Sequence, residues 1–283
     1  MIGRWGLLFL AAVSLSSCGL FKKNNSWVAF DSSVSDNQKD LLQGDLQLVG
    51  SLNFANVTYE DLDRIDLPDL SGNSLAGFLQ ARVKFIVGEG FDASSQRNVV
   101  ANYYNYSPSL MNEFSSAFDR VVTVMTNTGS AVYLDGKQSN TLYSINIADQ
   151  NLIVASPRVG IIKIGEGLFS NSRVNSISPD SLGRRLLRLG TLFHESRHSD
   201  GNGSNAGFPH TKCNSGDFAG YYACESNTNG PYNVEAMILK HFYEICYNCS
   251  ESELSALQIS AADAASRLVY GARKRDPQPE YVR

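Results

Sequence analysis

Between residues 181 and 198, the apolar side chains of Leu182, Leu186, Leu189 and Phe193 recur at steps of three and four. That is the period of a helix with one apolar face, so the spacing predicts an amphipathic helix across this run. The turn formers Ser199, Asp200, Gly201, Asn202, Gly203 and Ser204 then end it and reverse the chain. A weaker helical pattern covers 39–52, broken by Gly44, and a short one covers 74–81 and leads into a strand-like run at 83–87. The acidic stretch 61–70, closing on Pro68 and Asp69, reads as a loop. Residues 94–118 are ambiguous, and their cluster Tyr103, Tyr104 and Tyr106 reads as packing.

From residue 120 the pattern changes to short runs rich in β-formers, at 121–126, 131–134, 141–147, 152–155 and 159–164, separated by Gly, Asn and Asp. These predict a small mixed sheet. The last run, closing on Ile161, Ile162, Lys163 and Ile164, either borders a cleft as an edge strand able to take up an extended peptide, or packs under the helix at 181–198. Two further helices are predicted, one from Pro231 to about Ile245 and one over 252–270 with Ser250 or Ser252 as cap. The resulting class is α+β: a small mixed sheet, then the helix at 181–198, then a mainly helical C-terminal part.

Composition narrows the picture. Of 283 residues, 43% are hydrophobic and 18% charged, as in a folded globular chain. The formal net charge of −4 argues against nucleic acid as a partner, and the short basic run Arg273-Lys274-Arg275 reads as part of a solvated tail. At the N-terminus, Arg4 precedes an apolar stretch at 7–13 that is too short to span a bilayer, and small residues lead to Cys18. The expected organisation is a targeting segment at 1–18, a polar tether at 19–36, one domain at 37–272 and a disordered tail at 273–283 holding Pro277 and Pro279.

The chemistry is concentrated on the helix at 181–198, which closes on His194-Glu195-Ser196-Arg197-His198. Side chains four residues apart share a helical face about 5–6 Å from each other, so both imidazoles can reach one metal ion with Glu195 beside it. A zinc ion held this way acidifies a bound water to near neutrality, and a neighbouring carboxylate can take its proton. Three of the four histidines, His194, His198 and His210, lie within seventeen residues.

The segment resembles the active-site helix of the zincin metallopeptidases, in which the motif is written HExxH. The resemblance is firm over about twenty residues and loose over the surrounding hundred. It implies a zincin-like fold, His194 and His198 as ligands of Zn2+, Glu195 as general base, and a peptide or protein substrate. In the metzincin branch the pattern continues HExxHxxGxxH; Gly201 matches its glycine, but Ser204 stands where the third histidine should be. His210 can complete the set if a longer loop brings it back. The other arrangement follows the gluzincin branch, in which a later helix offers a glutamate, here Glu235. Asp200, Asp217 and Glu225 are lesser candidates whose default place is the surface. His241 falls on a different helical face from Glu235, and Met237 reads as core. Tyr221, Tyr222 and Tyr232 lie where a hydroxyl could stabilise an oxyanion.

Leu15-Ser16-Ser17-Cys18 resembles the lipobox of bacterial lipoproteins, which implies a diacylated Cys18. Gly19 after the cysteine implies the outer membrane of the cell envelope, facing periplasm or surface. A plain signal peptide or an uncleaved anchor is the other reading. An exported chain with four remaining cysteines is expected to form two disulfides, with Cys213–Cys224 and Cys246–Cys249 the preferred pairing and a four-cysteine zinc site the alternative. The chain is therefore expected to be a lipid-anchored zinc metallopeptidase. The contrasting class is a non-enzymatic envelope lipoprotein whose metal is structural or absent.

Overall fold

The computed structural model describes residues 27–54, 58–67, 69–91, 97–102, 131–134, 141–147, 150–155, 160–170, 177–200 and 208–275. In chain order the elements are β1 (Ala29–Phe30), α1 (Asp36–Val49), α2 (Tyr59–Ile65), α3 (Gly72–Gln80), β2 (Phe85–Val87) and β3 (Arg97–Asn102). There follow β4 (Ala131–Leu134), β5 (Thr141–Ile147), β6 (Gln150–Ala155), β7 (Ile161–Ile164) and α4 (Leu182–His198). The chain then forms β8 (Thr211–Lys212), β9 (Tyr222–Asn227), α5 (Pro231–Ile245), α6 (Glu251–Ser266) and β10 (Leu268–Arg273). The class is α+β, as the patterning predicts. Cys18, the tyrosine cluster at 103–106, the run 121–126, Gly201, Ser204 and the tail beyond 275 lie outside the described residues.

The β-rich runs do not make one sheet. Strands β1, β2, β7 and β4 form a four-stranded sheet in that order, parallel except for β4, whereas β3, β5 and β6 form a separate antiparallel sheet. Strand β7 is paired on both sides, with β2 and β4, so it is not an edge. The edge-strand reading of that run is therefore not met, and all four of its residues are buried.

Local signals explain the helix ends. Ser35 and Gln38 make a reciprocal capping box at the start of α1, and Ser181 accepts the Arg184 amide at the start of α4. The acidic stretch read as a loop overlaps α2 over 61–65, a helix started by Thr58 accepting the Asp61 amide and stopped by Asp66 in the left-handed conformation at φ 53°. Residues 27–36, assigned to the tether, are part of the fold: Val28, Phe30 and Val34 are buried, and β1 pairs with β2. At the other end, 268–270 is strand rather than helix, because β10 pairs in parallel with β9. Residues 273–275, assigned to the tail, are placed against the domain, since β10 runs to Arg273 and the Arg275 amide donates to Asn229 Oδ1.

Helix α4 is buried nearly all round. Leu186, Leu189 and Phe193 enter the main core with Leu42, Ile86, Ile162, Ile238 and Phe242, each such side chain contributing about 1.5–3 kcal/mol on burial. Gly190 allows α5 to cross closely, because a Cβ there would lie 2.6 Å from the Leu239 side chain. On its polar side, Arg188 forks onto Asp45 of α1, with Nε–Oδ2 at 2.7 Å and Nη2–Oδ1 at 3.0 Å. No helix of the described residues is long and apolar enough to cross a membrane.

Candidate metal centre

The last turn of α4 presents His194 and His198 on one face, with ring centroids 5.1 Å apart, as the four-residue spacing requires. His210 joins them from the segment leading into β8, 5.3 Å from the His194 ring and 4.6 Å from the His198 ring. One ligand atom from each of the three lies within 4.8 Å of the others. His194 Nε2 and His210 Nε2 are 3.3 Å apart. Two ligands each about 2.0–2.1 Å from a tetrahedral zinc would stand about 3.3–3.4 Å apart, so this pair has the separation of a coordination edge. The donor set fits a borderline metal such as zinc.

His210 returns because of a residue that periodicity does not reveal. Phe208 is fully buried at φ 50° and its ring lies under two guanidiniums, 4.5 Å from that of Arg197 and 5.3 Å from that of Arg275. Arg197, inside the motif, is fully buried and is the hub of this region. Its Nε donates to the Asn229 carbonyl at 2.7 Å, Nη1 pairs with Asp200 at 2.8 Å, and Nη2 pairs with Asp66. Asp200 also takes Arg82 Nε at 2.8 Å. Asp200 is thus buried in an ion-pair network that fixes the C-terminal end of α4, a correction to its expected surface placement.

The two contenders for third ligand have different places. His210 lies in the cluster, whereas Glu235 of α5 stands behind His194, with Oε2 2.9 Å from Nδ1. The carboxylate therefore holds the ring nitrogen that faces away from the cluster, as carboxylates beyond a metal's own ligands usually do. Burial alone would lower the His194 pKa, but the Glu235 hydrogen bond and the nearby carboxylates raise it. His210 has no such carboxylate bond among the described residues, and burial together with the neighbouring imidazoles pushes it down.

Tyr232, at the start of α5, covers the cluster from one side, its ring 4.5 Å from His194 and 4.7 Å from His210. Burial pushes its pKa up to about 12. Tyr221 and Tyr222 are exposed instead, and Asp217 is on the surface as expected. Glu225 is fully buried, contrary to its default placement, and burial raises its carboxyl to about 7. His241 lies elsewhere, bonded through Nδ1 to Glu244 at 3.1 Å and edge-on to Phe54, and Met237 is core.

Both expected disulfides are present. Cys213–Cys224 ties β8 to β9 directly after His210, and Cys246–Cys249 closes the turn after α5. Glu195 is buried within the motif turn at 8% exposure, while His198 and His210 are half-buried. The arrangement can hold a cation by three imidazoles, two of them on half-buried rings. Compared with family models, curated proteins and solved structures, the chain matches none.

Proposed function

We propose that this chain is a zinc-dependent metallopeptidase with a zincin-like site, held in the bacterial cell envelope by lipid on Cys18. The observation that carries the reading is the convergence of His194, His198 and His210, with Glu195 in the same helical turn and Glu235 behind His194. Zinc, when bound, supplies Lewis acidity and an acidified water. Glu195 would serve as the proton carrier, holding the proton lost by the attacking water and returning it to the leaving amine. Glu235 keeps the His194 imidazole oriented with Nε2 toward the cluster. Tyr232, whose raised pKa keeps its hydroxyl protonated at neutral pH, donates to the substrate oxygen as charge builds on it.

Among the described residues three imidazoles converge, two of them half-buried, which favours a catalytic over a purely structural ion, since structural zinc sites are normally closed by four protein ligands. The test is elemental analysis of the purified full chain beside hydrolysis of a broad peptide library. The expected result is about one zinc per chain and measurable cleavage, with both lost together in His194→Ala and His198→Ala. A parent without zinc, or a double histidine variant that retains it, ends the proposal. Anchoring has its own test: fatty-acid labelling is expected in the parent and absent in Cys18→Ser.

A further inference from the structure

Three buried side-chain atoms without a hydrogen-bond partner surround Tyr232: His210 Nδ1, Glu225 Oε2 and Arg267 Nε. The Tyr232 ring lies 4.7 Å from that of His210 and 5.3 Å from the Arg267 guanidinium, and its backbone amide donates to Glu225. Sheet register explains the gathering. Strand β8 pairs antiparallel with β9 at Thr211↔Cys224, so His210, one residue earlier, stands across from Glu225. Cross-strand neighbours of this kind have Cβ atoms about 4.5–5.5 Å apart on one face. On the other side of β9, the Glu225 amide donates to the Arg267 carbonyl at 2.8 Å. Two nitrogens and one carboxylate oxygen, each buried and unmatched, thus belong to residues gathered around one tyrosine, and buried polar groups in folded proteins are seldom left so.

The direction of the His210 ring decides what they are for. Its Nε2 faces His194 Nε2 at 3.3 Å, so Nε2 is the nitrogen turned to the cluster. A neutral imidazole offering its lone pair at Nε2 carries its proton on Nδ1. We infer that Glu225 is a positioning residue for the third ligand: neither atom is bonded in this structure, and Glu225 Oε2 would receive the His210 Nδ1–H once the ring is seated on the metal, fixing the tautomer that presents Nε2. This rests on the metal-site reading proposed above. Glu225 then does for His210 what Glu235 does for His194. Its carboxylate is locked in place by Asn227, which donates to Oε1 through its amide and side chain at 3.4 and 3.3 Å. Gly230 leaves the room, since a Cβ there would lie 2.2–2.4 Å from the carboxyl atoms.

The test uses the full chain, zinc titration against a competing chelator, and nitrogen-15 histidine NMR of the zinc-loaded protein. Glu225→Gln keeps an acceptor for Asn227 and Tyr232 but turns an NH2 toward His210. Gly230→Ala displaces the carboxylate without removing it. In both variants zinc affinity is expected to fall about 10–100-fold, with the His210 Nδ1–H resonance shifted and that of His194 in place. The apo Glu225→Gln protein should melt like the parent. Affinity within twofold of the parent with an unmoved His210 signal in Glu225→Gln overturns the inference while leaving the metal site standing. Should neither variant fold, the parent decides: a zinc-loaded His210 whose Nδ1–H is protected supports the role, and one that exchanges freely with solvent overturns it. A parent that binds no zinc removes this inference together with the proposed function.

Discussion

The Glu235 carboxylate lies behind the His194 imidazole rather than in the cluster, with Oε2 2.9 Å from Nδ1. A residue in that place tunes a ligand without being one. Glu235→Ala is therefore expected to bind zinc at full stoichiometry when zinc is saturating, with affinity weakened about 10–100-fold. His210→Ala is expected to lose far more. Chelator competition on the two variants separates the roles, and equal losses would return Glu235 to the ligand set.

Glu195→Gln addresses chemistry without touching a ligand. The variant should retain zinc near one equivalent while peptide hydrolysis falls about 10²–10⁴-fold, the range a positioned acid–base group contributes. Loss of zinc in parallel with activity would mean that Glu195 holds the ion rather than the proton.

The disulfide Cys213–Cys224 closes a short loop, with a sequence separation of 11, immediately after the third histidine. On chain entropy such a loop is worth about 2.5–3 kcal/mol. Replacing both cysteines by serine should lower the unfolding midpoint and weaken zinc binding together, because β8 and β9 lose the link that holds His210 beside Glu225. Unchanged zinc affinity in a destabilised variant would confine the bond to stability.

Asp45 joins α1 to α4 by accepting from Arg188 and from Arg185, and both Asp45 and Arg188 are buried. Burial raises the Asp45 pKa against the pull of the two arginines. Asp45→Ala leaves a buried guanidinium without its partner, at a cost of about 3–5 kcal/mol in urea unfolding. Asp45→Leu combined with Arg188→Met removes both charges and should recover much of that loss.

Glu253 supplies a pH test. Burial acts to raise its pKa, but it is outweighed by hydrogen bonds from the Ser250 amide, the Ser181 and Ser250 hydroxyls and the Gly183 amide, which hold it at about 2 against 4.5 for the free side chain. A depressed folded pKa means stability fully present above pH 4.5 and lost as pH falls toward about 2. Parent and Glu253→Gln should therefore differ most in melting temperature near neutrality and converge below pH 4.5. A difference that is constant across that window would show that the carboxylate charge contributes nothing.

Much of this was legible in the chain because it is written at short range. The three-and-four recurrence of Leu182, Leu186, Leu189 and Phe193 anticipates α4, and the four-residue interval puts His194 and His198 on one face whatever lies around them. The cap at Ser250 and both disulfide pairings follow the same local logic. Helix α2 escapes a reading by pattern because seven residues carry too little periodicity to outweigh an acidic, loop-like composition.

The identity and setting of the third histidine belong to the fold alone. His210 reaches its neighbours because Phe208 is pinned beneath Arg197 and Arg275, and nothing in the spacing between His198 and His210 encodes that anchor. Whether Glu235 ligates or orients depends on how α5 crosses α4 at Gly190, a matter of which side chains face each other across two helices. Glu225 and Asp200 read as surface residues because charge favours water, and only partners supplied by distant segments could bring them inside. Periodicity can put two imidazoles on a helix; the third, and the carboxylates that orient them, come from chain segments whose meeting is set by packing.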